Sequence, residues 1–306
     1  MPKLKKALRM MQDGQEPIRG SNGGLQQQGR RDELIRPDQE ARSQNLPHRG
    51  AAEIPPVINI NVTDEVLHEQ GLLPQDSDLH LVAQQFRRIK RPILNTAFGI
   101  GELDSKNSNV IMLASALPGT GKTFCSFNLA TSIAKEKDVG AVLVDADVLK
   151  PNISRAFGLF ERPGLIDYLL NTALTLDDIL VATNVHGIIV VPTGQRHDQA
   201  TELLASRRME QFVQTLSQRF PARAIIVDTP PLLLTNEAQV LAEHMAQIVL
   251  VIEAGASNQE TVTQALSSLD RNKPINAILN KARGASFREY GSYGYASAQR
   301  KHYGQE

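Results

Sequence analysis

Short, unbroken apolar runs alternate along this chain with longer stretches in which apolar residues recur every three or four positions. The runs are VIMLAS at 110–115, AVLVDAD at 141–147, IIVVP at 188–192, AIIVDTPP at 224–231, IVLVIEA at 248–254 and INAILN at 275–280. A strand with one face in water alternates apolar and polar residues, whereas continuous runs mark parallel strands covered on both faces. The longer stretches predict helices over 122–136, 206–219, 235–245 and 258–271. Another helix is expected in SDLHLVAQQFRRIKRPILNTAF, with Leu79, Val82, Phe86, Ile89 and Ile93 on one face. Ser77 is its expected N-cap, and Pro92 is where it should end or kink. This rhythm predicts an α/β fold with a doubly wound, mostly parallel sheet and flanking helices.

The pattern fades at both ends. Residues 1–75 are rich in Gln, Gly, Pro and charge, and such a segment buries too little apolar surface to offset its ordering entropy. They are expected to be disordered. PKLKKALRMM could form a short helix with Leu4, Ala7, Leu8 and Met11 on one face, either as a frayed terminus or as a docking site for a membrane surface or partner. The folded domain is expected over 76–283. Residues 284–306 are expected to form a flexible tail that carries four of the five tyrosines.

Composition narrows the function. The 306 residues are 41% hydrophobic and 22% charged, with zero formal net charge, so a packed core is expected and a nucleic-acid partner is not. The single cysteine, Cys125, rules out an intrachain disulfide and is expected to be a packed small side chain. No apolar run approaches the roughly 18 residues of a membrane span, and the N-terminus lacks an apolar signal-peptide core, so a cytoplasmic protein is expected.

The strongest chemical signal is VIMLASALPGTGKTFCSFNLATSIA: an apolar strand, a glycine-rich turn, then a helix. Gly119 and Gly121 let the backbone turn its N–H groups toward phosphate oxygens, and the helix N-terminus adds its dipole. In that setting Lys122 would reach the β- and γ-phosphates, and the Thr123 hydroxyl would ligate Mg²⁺. The first glycine of the usual pattern is replaced by Ala116. Two further strands end in carboxylates: Asp145 and Asp147 in VLVDADVLKP, and Asp228 in IIVDTPPLLL. Residues two apart on a strand share a side, and strand C-terminal ends line the ligand crevice of a parallel sheet. One such aspartate is commonly a cap. Three beside a phosphate loop repel one another unless a cation joins them, and Mg·ATP supplies that cation.

PGTGKT, VLVDADVLKP and IIVDTPP resemble the Walker A, A′ and B motifs of the bacterial tyrosine kinases, a P-loop family unrelated in fold to eukaryotic protein kinases. RPGLIDYLL, IIVVPTGQRHDQATELLASRRM, VLVIEAG and ILNKARG fit the same resemblance, which covers about 78–306. FRRIKRP, HDQATELLAS and LNKARG are most similar to the soluble tyrosine autokinases of exosortase-associated exopolysaccharide loci. The resemblance implies that Pro118, Gly119, Thr120, Gly121, Lys122, Thr123 and Phe124 hold the nucleotide. It implies that Thr123, Asp147 and Asp228 hold Mg²⁺, and that Asp145 serves as base for the tyrosine hydroxyl. Asn280 resembles an adenine-reading asparagine, though a strand-end turn residue fits as well. The implied phosphoacceptors are Tyr290, Tyr293, Tyr295 and Tyr303. The implied partners are an activating membrane chain-length or co-polymerase protein that recruits the chain to the inner membrane, further copies in a ring, and a cognate phosphatase.

Two departures stand out. Lys150 follows Leu149 where the family often has D-x-D-x-R. Gln85, Arg88 and Arg91 stand where an E-x-x-R-x-x-R helix joins subunits, so Arg87, Arg88, Lys90 and Arg91 could instead be a solvated basic face. Rival readings are a partitioning or septum-positioning ATPase, or a nucleotide-binding scaffold without kinase activity. The first would carry a second loop lysine where this chain has Leu117. The intact Lys122, Thr123 and three aspartates disfavour the second. A GTPase would need an aspartate where NKAR has Arg283.

Overall fold

The computed structural model describes residues 58–99 and 107–282. Eight strands form one sheet: β1 (Ile58–Ile60), β2 (Val110–Ser115), β3 (Gly140–Asp145), β4 (Val181–Thr183), β5 (Ile189–Val191), β6 (Arg223–Asp228), β7 (Gln247–Glu253) and β8 (Ile275–Asn280). Their order is β1-β4-β5-β3-β6-β2-β7-β8. Every pairing is parallel except the antiparallel β4–β5 pair. The helices are α1 (Asp64–Glu69), α2 (Asp76–Phe98), α3 (Lys122–Ala134), α4 (Asn152–Ala156), α5 (Leu165–Leu170), α6 (Ala200–Leu204), α7 (Arg207–Arg219), α8 (Asn236–His244) and α9 (Gln259–Ser267).

Side chains of a strand point alternately to opposite faces, and this splits the core in two. Ile111, Leu113 and Leu143 pack with Leu67, Phe86, Ile93, Phe127 and Ile153 from α1 to α4. Met112, Val144 and Val227 pack on the other face with Leu165, Leu204, Phe212, Leu241 and Val262 from α5 to α9. The central strands are buried along their length, which is why their sequences run apolar without alternation.

The order explains where a ligand can sit. From β2 the chain crosses to β3 on one side of the sheet, while β7 pairs with β2 on the other. The crevice at the carboxyl ends of β2, β6 and β3 is the switch point of this sheet. Asp145 and Asp228 lie in register there as the last residues of paired strands.

Several expectations are corrected. Ile58–Glu69 falls in the segment expected to be disordered but forms β1 and α1. The average composition of 1–75 hides a few well-spaced apolar residues: Val62, Leu67 and Leu72 are buried. Asn184 fixes the same stretch by accepting from Val62 N at 2.9 Å and donating to Val62 O at 3.0 Å. The helix PKLKKALRMM and the tail from 284 lie outside the described residues. Helix α2 runs through Pro92 to Phe98, and it begins after Gln75, with no side-chain cap, rather than at Ser77. Phe86 and Ile93 anchor its buried face, while Leu79 stays exposed. Lys90 is no part of a solvated face: it is 4% exposed, hydrogen-bonded to the Ser132 carbonyl and paired with Glu136 at 2.7 Å.

Candidate active site

The loop after β2 is built by two glycines that a side chain would spoil. Gly119 (φ 80°) and Gly121 (φ 86°) adopt left-handed backbone, and a Cβ on Gly121 would collide with Asn280 Nδ2. Helix α3 starts immediately after, at Lys122. The hydroxyl of Thr120 is buried and has no hydrogen-bond partner among the described residues. An orphaned polar atom in a buried loop suits a site that closes on a polar ligand. The ring of Phe124 packs edge-on against Phe86, 6.3 Å between centroids, so only its main chain faces the loop's task. Pro118 is exposed on the rim.

Lys122 is 7% exposed and reaches back over the strand ends. Its Nζ lies 2.7 Å from Asp228 Oδ1 and 3.7 Å from Asp147 Oδ2. Thr123 Oγ1 donates to Asp228 Oδ2 at 2.8 Å, and Ser126 Oγ donates to Asp228 Oδ1 at 2.9 Å. Lys122 and Thr123 therefore meet on the Asp228 carboxylate, and Lys122 links it to Asp147, which joins four predicted residues from three distant parts of the chain.

Asp145 is fully buried. Its Oδ2 accepts from Ser154 N at 2.7 Å and Ser154 Oγ at 2.8 Å, while among the described residues Oδ1 accepts from Asp147 N alone, at 3.3 Å. Thr193 donates to the Asp145 carbonyl at 2.9 Å, and its N–H donates to Ser154 Oγ at 2.9 Å. Burial, reinforced by the Asp228 charge, pushes the Asp145 carboxyl up to about 7, against the pull of the Ser154 hydrogen bonds. Burial also raises Asp147, with Lys122 opposing. The Asp147 carboxylate accepts from Lys150 N at 3.0 Å. Lys150 thus serves through its backbone; its side chain is exposed.

These donors suit magnesium and a nucleoside triphosphate. Mg²⁺ takes one or two carboxylates together with phosphate oxygens and water rather than an all-protein cage. Among the described residues no group of three or more His, Cys, Asp or Glu forms such a cage. Thr123, Asp147 and Asp228 offer hard oxygen ligands, with the remainder left to phosphate and water. Cys125 lies one turn into α3, where burial pushes its thiol up to about 12, so it stays protonated as packing.

Asn280, at the end of β8, donates from Nδ2 to the Thr120 carbonyl at 2.8 Å. Its amide therefore touches the loop, whatever else it binds. Tyr290, Tyr293, Tyr295 and Tyr303 lie outside the described residues. The fifth tyrosine, Tyr168, is a packed residue: its ring sits 5.6 Å from Phe212 and under Arg208. Ser126, Ser154 and Thr193 have no motif that names them. Spacing within α3 could have found Ser126, one turn after Lys122.

No family model matches the chain. Tyrosine-protein kinase YwqD of Bacillus subtilis is 31% identical over 229 residues, 74% of this chain and 92% of that protein. Tyrosine-protein kinase CpsD of Streptococcus agalactiae is 31% identical over 65% of this chain and 88% of that protein. The kinase domain of the Escherichia coli tyrosine kinase ETK superposes with a TM-score of 0.54 at 27% identity, covering 65% of this chain and 77% of that one.

Proposed function

The chain belongs to the bacterial tyrosine-protein kinases, and from that premise we propose that it uses Mg·ATP to phosphorylate its own C-terminal tyrosines, Tyr290, Tyr293, Tyr295 and Tyr303. The observation that carries this reading is the meeting of Lys122, Thr123, Asp147 and Asp228 within 3.7 Å contacts at the carboxyl ends of β2, β3 and β6.

Phosphoryl transfer asks for alignment and charge neutralisation more than for covalent chemistry. Bound magnesium would supply positive charge to neutralise the transferring phosphoryl group. Lys122 exchanges its Asp228 contact for phosphate oxygens while staying buried, where a charge acts strongly. Thr123, Asp147 and Asp228 hold the metal, and the backbone of 118–124 holds the phosphates. Asn280 reads the adenine edge. A phenol has a pKa near 10 and needs a base to lose its proton as its oxygen bonds to the γ-phosphorus and the bond to the departing ADP breaks. Asp145 takes that proton. Its Oδ2 is committed to Ser154, so Oδ1, held by one long hydrogen bond, is the accepting oxygen.

The polymer served is an exopolysaccharide. The activator is a membrane chain-length or co-polymerase protein that recruits the kinase to the inner membrane, where copies associate in a ring and a phosphatase resets the tail. Among the described residues no helix is long and apolar enough to cross a membrane, so membrane recruitment is assigned to that partner. The test incubates the purified chain with Mg·ATP, with and without the activator's cytoplasmic segment. Phosphotyrosine should accumulate in the wild type and be absent from Lys122→Ala. A tail that stays unmodified while phosphate is released would replace this reading with that of a partitioning-type ATPase.

A further inference from the structure

A phosphate loop must turn its N–H groups toward the ligand, and every trans peptide then sends its carbonyl the opposite way. Those outward carbonyls need partners of their own. Two consecutive residues at the end of β8 supply them. Asn280 Nδ2 donates to the Thr120 carbonyl at 2.8 Å, and Lys281 Nζ donates to the Gly119 carbonyl at 2.6 Å. There are no cis peptides among the described residues, so fixing these two carbonyls also fixes the directions of the Thr120 and Gly121 N–H groups.

Lys281 shows further signs of being set for this task. Its backbone is left-handed (φ 57°), a conformation a lysine adopts only where its surroundings impose it. Its ammonium is also paired with Glu253 Oε1 at 3.0 Å, from the last residue of β7. The Ala254 N–H donates to the Asn280 carbonyl at 2.9 Å, which ties the ends of β7 and β8 together. A half-exposed lysine would gain little from one surface ion pair. Here the pair aims the ammonium at a loop carbonyl that nothing else in the described chain is shown to satisfy.

We propose that Lys281 is a positioning residue of the nucleotide site: from the outer side of the loop it holds the Gly119–Thr120 peptide with its N–H facing the phosphates, and Glu253 holds Lys281. This rests on the kinase reading only as far as nucleotide binding. It also places the fixing point one residue before Ala282, the last described residue.

The test is the affinity of the full chain for ADP with Mg²⁺, by titration calorimetry, alongside the KM for ATP in tail phosphorylation. Lys281→Ala should weaken ADP binding about tenfold, the scale of one charge-assisted hydrogen bond. Lys281→Arg should restore most of the affinity, and Glu253→Gln should lose less than Lys281→Ala. KM for ATP should rise with kcat nearly unchanged, and the melting temperature of the ligand-free chain should hold. Unchanged ADP affinity in Lys281→Ala overturns the inference, as does a loss explained by a lowered melting temperature and not restored by arginine. Normal ADP binding without tail phosphorylation in the wild type would instead strike the kinase reading and leave this one standing.

Discussion

Two buried lysines sit near opposite ends of the same helix, and they do different work. Lys90, on α2, reaches the last turn of α3, where it binds the Ser132 carbonyl and Glu136. One cation meets one carboxylate and one carbonyl, and Arg91 joins the same carboxylate at 3.4 Å. Lys122, at the first turn of α3, faces Asp228 and Asp147, with Asp145 behind them. One cation there meets two carboxyl groups, with a third behind them. The first site has cations enough for its one carboxylate. The second is short of positive charge, and a fold keeps such an imbalance only where something else arrives to correct it. Burial of a lysine says little about function; the unpaired remainder of its neighbourhood says much.

The sharpest way to break this comparison is to remove each lysine. Lys122→Met should lower tail phosphorylation at least about a hundredfold, the scale of losing a buried group that stabilises developing charge. The ligand-free fold should survive, because Thr123 and Ser126 still donate to Asp228. Lys90→Met should do the reverse. It should cost about 2 kcal/mol of stability, below the full figure for breaking a buried pair because Glu136 is partly exposed. Urea denaturation and phosphotyrosine quantification on both variants separate the two roles. Equal losses of activity would erase the distinction.

The two sites should also respond oppositely to pH. The Asp145 pKa rises from about 4 when unfolded to about 7 when folded, so the folded chain holds the extra proton. Its contribution is therefore present at low pH and is lost as pH rises through about 7. The Lys90 hydrogen bond holds the Glu136 carboxyl below its usual range, so that contribution is present above the unfolded pKa and is lost as pH falls. Without magnesium or nucleotide, the Asp145 contribution should decline as pH rises from about 4 to about 7, and Asp145→Asn should flatten the decline. A slope unchanged by Asp145→Asn would assign the titration elsewhere. The smallest effect is expected of Glu136→Gln, under about 1 kcal/mol in the same unfolding assay, because the Ser132 carbonyl still holds Lys90.

The parts of the site that were legible in the sequence were those whose chemistry sits next to its own strand or turn. Asp145, Asp147 and Asp228 close apolar runs, and Lys122 and Thr123 follow the glycine-rich turn after one, so pattern and position coincide. Ser154 and Thr193, which hold Asp145, come from segments 9 and 48 residues further along the chain. Only the folded sheet brings them together, and no spacing announces it. The same holds for strands. β2, β3, β6, β7 and β8 are at least six residues long and were readable. β1 and β4 are three residues each and are held by pairing, β1 with β4 at the sheet edge and β4 also with β5. Pro92 does not end α2, because a helix tolerates a missing N–H when its other face is anchored, here by Phe86 and Ile93. Lys90 misled because its neighbours in sequence are exposed arginines, while its partner Glu136 lies 46 positions away.

The central claim is that the carboxylate cluster at the strand ends serves transfer to the tyrosine tail. The most direct measurement mixes two chains with Mg·ATP and maps phosphate by mass: Asp145→Ala with its tail intact, and an otherwise wild-type chain lacking residues 284–306. Asp145→Ala alone should show an unmodified tail. The mixture should place phosphate on Tyr290, Tyr293, Tyr295 or Tyr303 of the Asp145→Ala chain, supplied by the active site of its neighbour. A tail phosphorylated to the wild-type level in Asp145→Ala alone would contradict the claim.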